Sequence, residues 1–413
     1  MRLAWFGPTP TEDGGVSYAA TQLLQAMSEL GVEVDCYLSA AEEDVPRRLH
    51  EESNLRFVCI PPHWHWDRWY SRHEISAFVT GQAMRMVAQS SLAKRAGREN
   101  QARRYTCVYQ FSQIESSALA HQRDRLPPLV LHPQVHAQGE LRWHRLEAPL
   151  GRRCESLPRF LAARQMLVAR SQIQRRQIGF AAGLVAPSDR FATHLASDYR
   201  YPRARIVVIP NPIDLRRFRP SEPGGERSKR QTTLLFVSRM SVRKGVEMIV
   251  DLSHRLTDLE GAVALRAVGN HTLWSDYRCL LSDLNPGVAR YDGPGGTTEV
   301  TAAYRSADIV LQPSHYEPFA LTVAEALSSG KPVVVSSEVG AREGVSTQCC
   351  RVFPAGDADA FERRVRELVD ELSLARAEEL RMIARRNAER LFSPSAVGDA
   401  VVRGVEAFLR RDR

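Results

Sequence analysis

At 413 residues the chain is too long for one ordinary core and predicts two domains of about 150–200 residues each. A hydrophobic content of 43% with 25% charged residues excludes a disordered chain, and no apolar run approaches the ~18 residues of a membrane-spanning helix. The net charge of +8 rests on an arginine-biased set in which only Lys94, Lys229, Lys244 and Lys331 are lysines among 56 basic residues. Charge of that origin is poor ground for a nucleic-acid partner, and none is expected.

The chain opens with "RLAWF" (2–6), a short apolar run that predicts a buried parallel strand and ends at Gly7-Pro8 before a signal-peptide core can form. From Gly15, apolar residues at Val16, Ala19, Ala20, Leu23, Leu24, Met27 and Leu30 keep helical spacing, and Gly31 stops the helix. "VEVDCYL" (32–38) is the next strand. Further on, "TLLFVS" (233–238), "VALRAV" (263–268), "DIVLQ" (308–312) and "PVVVS" (332–336) alternate with helical segments. That alternation predicts α/β domains with parallel sheets covered on both faces.

The Pro/Gly/Ser-rich, charged stretch 219–231 reads as a linker. The expected division is an N-terminal Rossmann-like domain (1–216), a linker (217–231), a C-terminal Rossmann-like domain (232–392) and a terminal helix (393–413). The seven cysteines are scattered without C-x-x-C spacing, which predicts reduced core thiols, no zinc site and no disulfide framework. With no signal segment expected, the compartment reads as cytoplasmic.

Two such domains make a crevice at the carboxyl ends of their strands. "PSHYEPFALTVAEAL" (313–327) enters it after a strand, with Glu317 before a helix and Glu325 inside it. The first turn of that helix, Phe319 to Thr322, offers unpaired N–H groups and a positive dipole end, a seat for phosphate. Carboxylates on either side accept hydrogen bonds from hydroxyls, so the set suits a nucleotide sugar; the plain alternative is a helix with acidic residues near its start. "SRMSVRKG" (238–245) also leaves a strand and places Arg239 and Lys244 where they neutralise a diphosphate. Gly14-Gly15 lets backbone approach a ligand, and the chain has no full G-x-G-x-x-G after a strand, which weighs against nicotinamide or flavin.

These motifs, with "VIPNPIDLRRFRP" (208–220), "YDG" (291–293) and "EVGAREGV" (338–345), resemble a family 4 glycosyltransferase of the GT-B architecture. The resemblance implies two Rossmann-like domains facing across a cleft, with the terminal helix 393–413 returning to the N-terminal domain. It implies retaining, metal-independent transfer from a nucleotide-diphosphate sugar to a hydroxyl of a saccharide, lipid-linked or natural-product acceptor, with no resident cofactor. Glu317 would hold the donor sugar as a binding group and Glu325 the ribose. Arg239, Lys244, Gly15 and the backbone of Phe319, Ala320, Leu321 and Thr322 would hold the diphosphate. An N-domain histidine, His132 before His136, would face the sugar. The family usually has glycine where this chain has Ala320.

Acceptor contacts are expected from the aromatic cluster "PPHWHWDRWY" (61–70) through Trp64, Trp66 and Trp69. The basic stretch 85–104 reads as a solvated helix face, with peripheral membrane contact as the alternative. An epimerase on the same scaffold and a non-catalytic sugar-binding relative are the other functional readings.

Overall fold

The computed structural model describes residues 1–12, 15–62, 74–220, 231–271, 276–373 and 376–411. Elements alternate as the apolar runs predict. The first half contains β1 (Arg2–Phe6), α1 (Gly15–Glu29), β2 (Glu33–Leu38), α2 (Arg47–His50), β3 (Leu55–Cys59), α3 (Glu74–Ala102), β4 (Cys107–Ser112), α4 (Ser117–Ala120), β5 (Leu129–Pro133), α5 (Ala137–Leu146), α6 (Ala148–Cys154), α7 (Leu157–Gln177), β6 (Ala181–Ala186), α8 (Asp189–Tyr199) and β7 (Ile206–Val208). The second contains β8 (Thr232–Val237), α9 (Val246–Arg255), β9 (Val263–Val268), β10 (Ala289–Tyr291), α10 (Thr297–Ser306), β11 (Ile309–Gln312), α11 (Leu321–Ser328), β12 (Val333–Ser336), β13 (Cys350–Phe353), α12 (Ala358–Ser373), α13 (Ala377–Phe392) and α14 (Pro394–Arg411).

The strands form two parallel sheets, ordered β3-β2-β1-β4-β5-β6-β7 and β10-β9-β8-β11-β12-β13. Both reverse direction of growth at one place, between β1 and β4 and between β8 and β11, and ligands of such sheets bind at that switch point. Strands at the switch points are apolar and buried on both faces, as Leu3, Ala4 and Trp5 and as Leu234, Leu235 and Phe236 show.

The terminal helix does return to the first domain. Val397, Val401, Val405 and Phe408 of α14 lie in the core formed by β1, α1 and β4, each burial contributing about 2 kcal/mol. Phe408 lies so close to Gly183 of β6 that a Cβ there would sit 2.5 Å from its ring. Only glycine fits.

Two of the seams between the domains, among the described residues, bear on the site. In one, α6 lays Leu150 and Cys154 on the C-terminal core, and Cys154 is bonded to Cys279 with Cα atoms 6.0 Å apart. This corrects the expectation of reduced thiols throughout. The pair is 125 residues apart in sequence, so no local spacing reveals it; folding alone brings one domain's helix to the other's loop. In the second seam, the N–H groups of Asp189 and Arg190 at the start of α8 donate to Glu343, and Arg190 pairs with Glu338.

Along α3, Leu92, Ala93 and Ala96 are buried while Lys94, Arg95 and Arg98 are exposed. Among the described residues no helix is long and apolar enough to cross a membrane. Trp64, Trp66, Trp69, Gly14 and most of the linker lie outside the described residues.

Candidate functional site

The second switch point gathers the charged residues singled out by sequence. The loop after β8 carries Arg239 and Lys244; the loop after β11 carries Glu317 and leads into α11. Lys244 Nζ contacts the Glu317 carboxylate. Burial, then the neighbouring Arg243 and Arg239, press the Lys244 ammonium below its usual range, and the Glu140 carboxylate opposes them by stabilising the proton. Arg239 is exposed and makes no ion pair with a described residue.

Several contacts fix the loop that holds Glu317. The N–H of Gly340 donates to the Glu317 carbonyl at 3.1 Å and that of Ala341 to the Phe319 carbonyl at 2.7 Å. A Cβ at Gly340 would sit 2.1 Å from the Pro318 carbonyl oxygen. From the other domain the Ser188 hydroxyl donates to Pro318 O at 2.7 Å and accepts from Phe191 N–H at 3.1 Å, capping α8. Ser188 and Gly340 brace this loop and were not singled out by sequence reasoning; only the quoted "EVGAREGV" pointed toward the latter.

Ala320 is the N-cap of α11 with φ 81° and ψ 85°. That is left-handed backbone, where a non-glycine residue is strained by about 1–2 kcal/mol. The conformation aims the first N–H groups of α11, those of Leu321 and Thr322, away from the helix with no intrahelical partner. Tyr18 of α1 packs in the same apolar cluster as Phe319 and Ala320, so the start of α1 borders the helix end. Gly15 has φ +75° and open space where a side chain would be. The start of α1 and the start of α11 therefore lie in one apolar cluster, next in sequence to Glu317.

Glu325 lies one turn deeper in α11 and is buried; its Oε2 accepts from the Tyr304 hydroxyl at 2.8 Å. Burial pushes its carboxyl up to about 7, opposed by the Tyr304 bond and by Arg217. The first turn is braced as well, since the Thr322 hydroxyl donates to Gln312 Oε1 at 2.8 Å.

The two histidines separate. His136 is fully buried, with Nε2–H donating to Asp198 Oδ2 at 2.7 Å and Nδ1 accepting from Tyr316 at 2.6 Å. It is a clasp between domains, with both nitrogens engaged. Of the two histidines expected near the sugar, it is the one whose ring nitrogens both have protein partners. His132, at the end of β5, is also buried; its Nδ1 meets the Tyr109 hydroxyl at 2.8 Å, while Nε2 has no partner. Burial lowers its pKa to about 3, so it is a neutral imidazole with one free nitrogen.

Glu147, which the sequence did not single out, accepts from the Arg243 N–H at 2.8 Å across the first seam. Burial raises its carboxyl to about 7. Among the described residues no cluster of three or more His, Cys, Asp or Glu side chains is placed to hold a metal.

The chain matches two family descriptions, Glycosyltransferase Family 4 over residues 13–217 and Glycosyl transferases group 1 over residues 231–371. It is similar to the D-inositol 3-phosphate glycosyltransferase of Thermobispora bispora, 24% identical over 384 residues, covering 88% of this chain and 83% of that one. It is 28% identical over 184 residues to the mannosylfructose-phosphate synthase of Agrobacterium fabrum, covering 41% of this chain and 40% of that protein. In fold it resembles the sucrose-phosphate synthase of Thermosynechococcus elongatus, with TM-score 0.72, 16% identity and full coverage of both chains (100% each). It also resembles Anabaena HepE in complex with UDP-glucose, with TM-score 0.64, 15% identity and coverage of 98% and 100%. The chain belongs to glycosyltransferase family 4, and it is a glycosyltransferase of the GT-B fold.

Proposed function

We propose that the protein transfers a sugar from a nucleotide-diphosphate donor to a hydroxyl of a saccharide, lipid-linked or natural-product acceptor, with retention at the anomeric carbon and without a metal. The observation that carries this reading is the Lys244–Glu317 contact beside the open end of α11. Without ligand each charge neutralises the other in a poorly solvated place. A nucleotide sugar replaces that pairing on both sides: the diphosphate takes Lys244, and the sugar hydroxyls take Glu317. Glu325 then accepts from the ribose hydroxyls at the far side of the helix turn.

As the bond between C1 and the phosphate oxygen breaks, negative charge grows on the leaving diphosphate. Arg239, Lys244 and the N–H groups of Leu321 and Thr322 stabilise it. In a front-side route the departing phosphate oxygen accepts the proton of the attacking hydroxyl, and the new bond forms on the face the leaving group vacates. Glu317 orients the sugar and forms no covalent bond. A cytoplasmic location belongs to the same reading, and Cys154–Cys279 is the feature that challenges it, because such bonds are rare in reducing compartments.

The test is nucleoside diphosphate release from UDP-, GDP-, ADP- and dTDP-sugars with and without a chelator, followed by NMR assignment of the product anomer. Chelator-resistant release with retained configuration is expected. An inverted product, or dependence on added divalent cation, would overturn the mechanism.

A further inference from the structure

The first switch point holds a partly enclosed cavity of about 40 Å³, where β1, β2 and β4 end and α3 passes over. It is lined by Phe6, Tyr37 and Phe111 and by the polar side chains of Ser39, Gln110 and Ser116. Ser39 Oγ, Gln110 Oε1 and Ser116 Oγ are each buried without a hydrogen-bond partner. Buried polar atoms are normally paired, so unpaired ones converging on one cavity mark where a ligand or water belongs. The pairing is one-sided for Gln110: its amide nitrogen donates to the carbonyls of Gln113 and Glu115 at 3.4 and 2.8 Å, which leaves only the oxygen for a ligand.

We propose that this cavity receives the hydroxylated edge of an uncharged polyol or sugar, the acceptor of the transfer, and that it disfavours a phosphorylated one. The inference rests on the transferase reading above and deepens it. An orphaned amide oxygen accepts from a hydroxyl and has nothing to offer an ionised phosphate. The hydroxyls of Ser39 and Ser116 pair with either. Glu115 is the one charged residue among the described lining, and its carboxylate repels an anion. Arg170, which donates to Glu115 at 2.8 Å, is also 3.6 Å from Glu140, so its charge is balanced on both sides by carboxylates. Phe6, Tyr37 and Phe111 add aromatic surface that suits the C–H face of a ring. The position relative to the donor side comes from α1, which follows β1 and packs its Tyr18 with Phe319 and Ala320.

The experiment takes the wild-type protein with the preferred donor from the nucleotide-sugar panel. It compares kcat/KM for myo-inositol, fructose and glucose with the values for inositol 3-phosphate, fructose 6-phosphate and glucose 6-phosphate. At least one uncharged acceptor should exceed its phosphate ester by about tenfold or more. Gln110→Met, which keeps the volume and removes the acceptor oxygen, should raise the KM of that acceptor about fivefold and leave the donor dissociation constant where it was. Preference for the phosphate esters, or an unchanged acceptor KM in Gln110→Met, overturns the assignment of the cavity while the transferase reading stands. If wild type binds no nucleotide sugar, both fall.

Discussion

Ala320 adopts a backbone conformation in which glycine is at ease and alanine is not. Replacing it by glycine should raise the melting temperature, the relief of about 1 kcal/mol of strain outweighing the added chain entropy; an unchanged or lowered value in a thermal-shift assay would show that the strain is absent. Glu325 makes the opposite trade. Its value of about 7 in the folded protein lies above the ~4.3 of an exposed glutamate. The stability it contributes is therefore complete at low pH and is lost as pH rises through 7. Glu325→Gln keeps an acceptor for Tyr304 and removes the buried charge, so at pH 8 it should be stabilising, by up to about 3 kcal/mol. The same change should weaken donor binding, because a ribose pairs better with a carboxylate than with an amide. In wild type, donor affinity should fall as pH drops below about 7, where the carboxyl gains its proton; a flat profile from pH 5.5 to 8 would remove Glu325 from the donor site.

At the scale of elements, the proposed donor cradle is a loop, a helix end and a second loop, each easily read because its chemistry is local. The apolar runs 2–6, 233–238, 263–268, 308–312 and 332–336 match β1, β8, β9, β11 and β12 within a residue or so, since strands buried on both faces are nearly unbroken apolar stretches. Glu317, Glu325, Arg239 and Lys244 stood out through spacing from strand ends. The supports of the cradle did not. Ser188, Gly340, Tyr304 and Glu147 act through contacts with residues far away in sequence, and no local pattern announces them. His136 shows the same limit from the other side: its neighbours in sequence place it at a helix start beside a strand end, but Asp198 and Tyr316 decide what it does. Tyr316→Phe should leave the cradle intact and loosen the clasp, appearing as faster amide exchange in α5 and α8; protection equal to wild type would show that the clasp holds nothing.

Across the whole molecule, the two switch points are two half-sites whose registry depends on the seams. The Cys154–Cys279 bond, the Glu147–Arg243 hydrogen bond and the Glu343 cap of α8 all join domain to domain. Closing a loop of 125 residues restricts the unfolded chain strongly, so reduction should lower stability, by about 5 kcal/mol on the chain-entropy view. Thiol alkylation of the denatured protein counts the bond directly: five reactive cysteines are expected from the oxidised chain, and seven would show that the bond is not formed. The central claim is that cations beside an open helix end grip the diphosphate of an activated sugar. Calorimetric titration of the preferred nucleotide sugar into wild type, Arg239→Ala and Lys244→Gln tests it most directly. Binding to wild type that weakens about tenfold or more in each variant is the predicted result; equal affinity in all three proteins would contradict it.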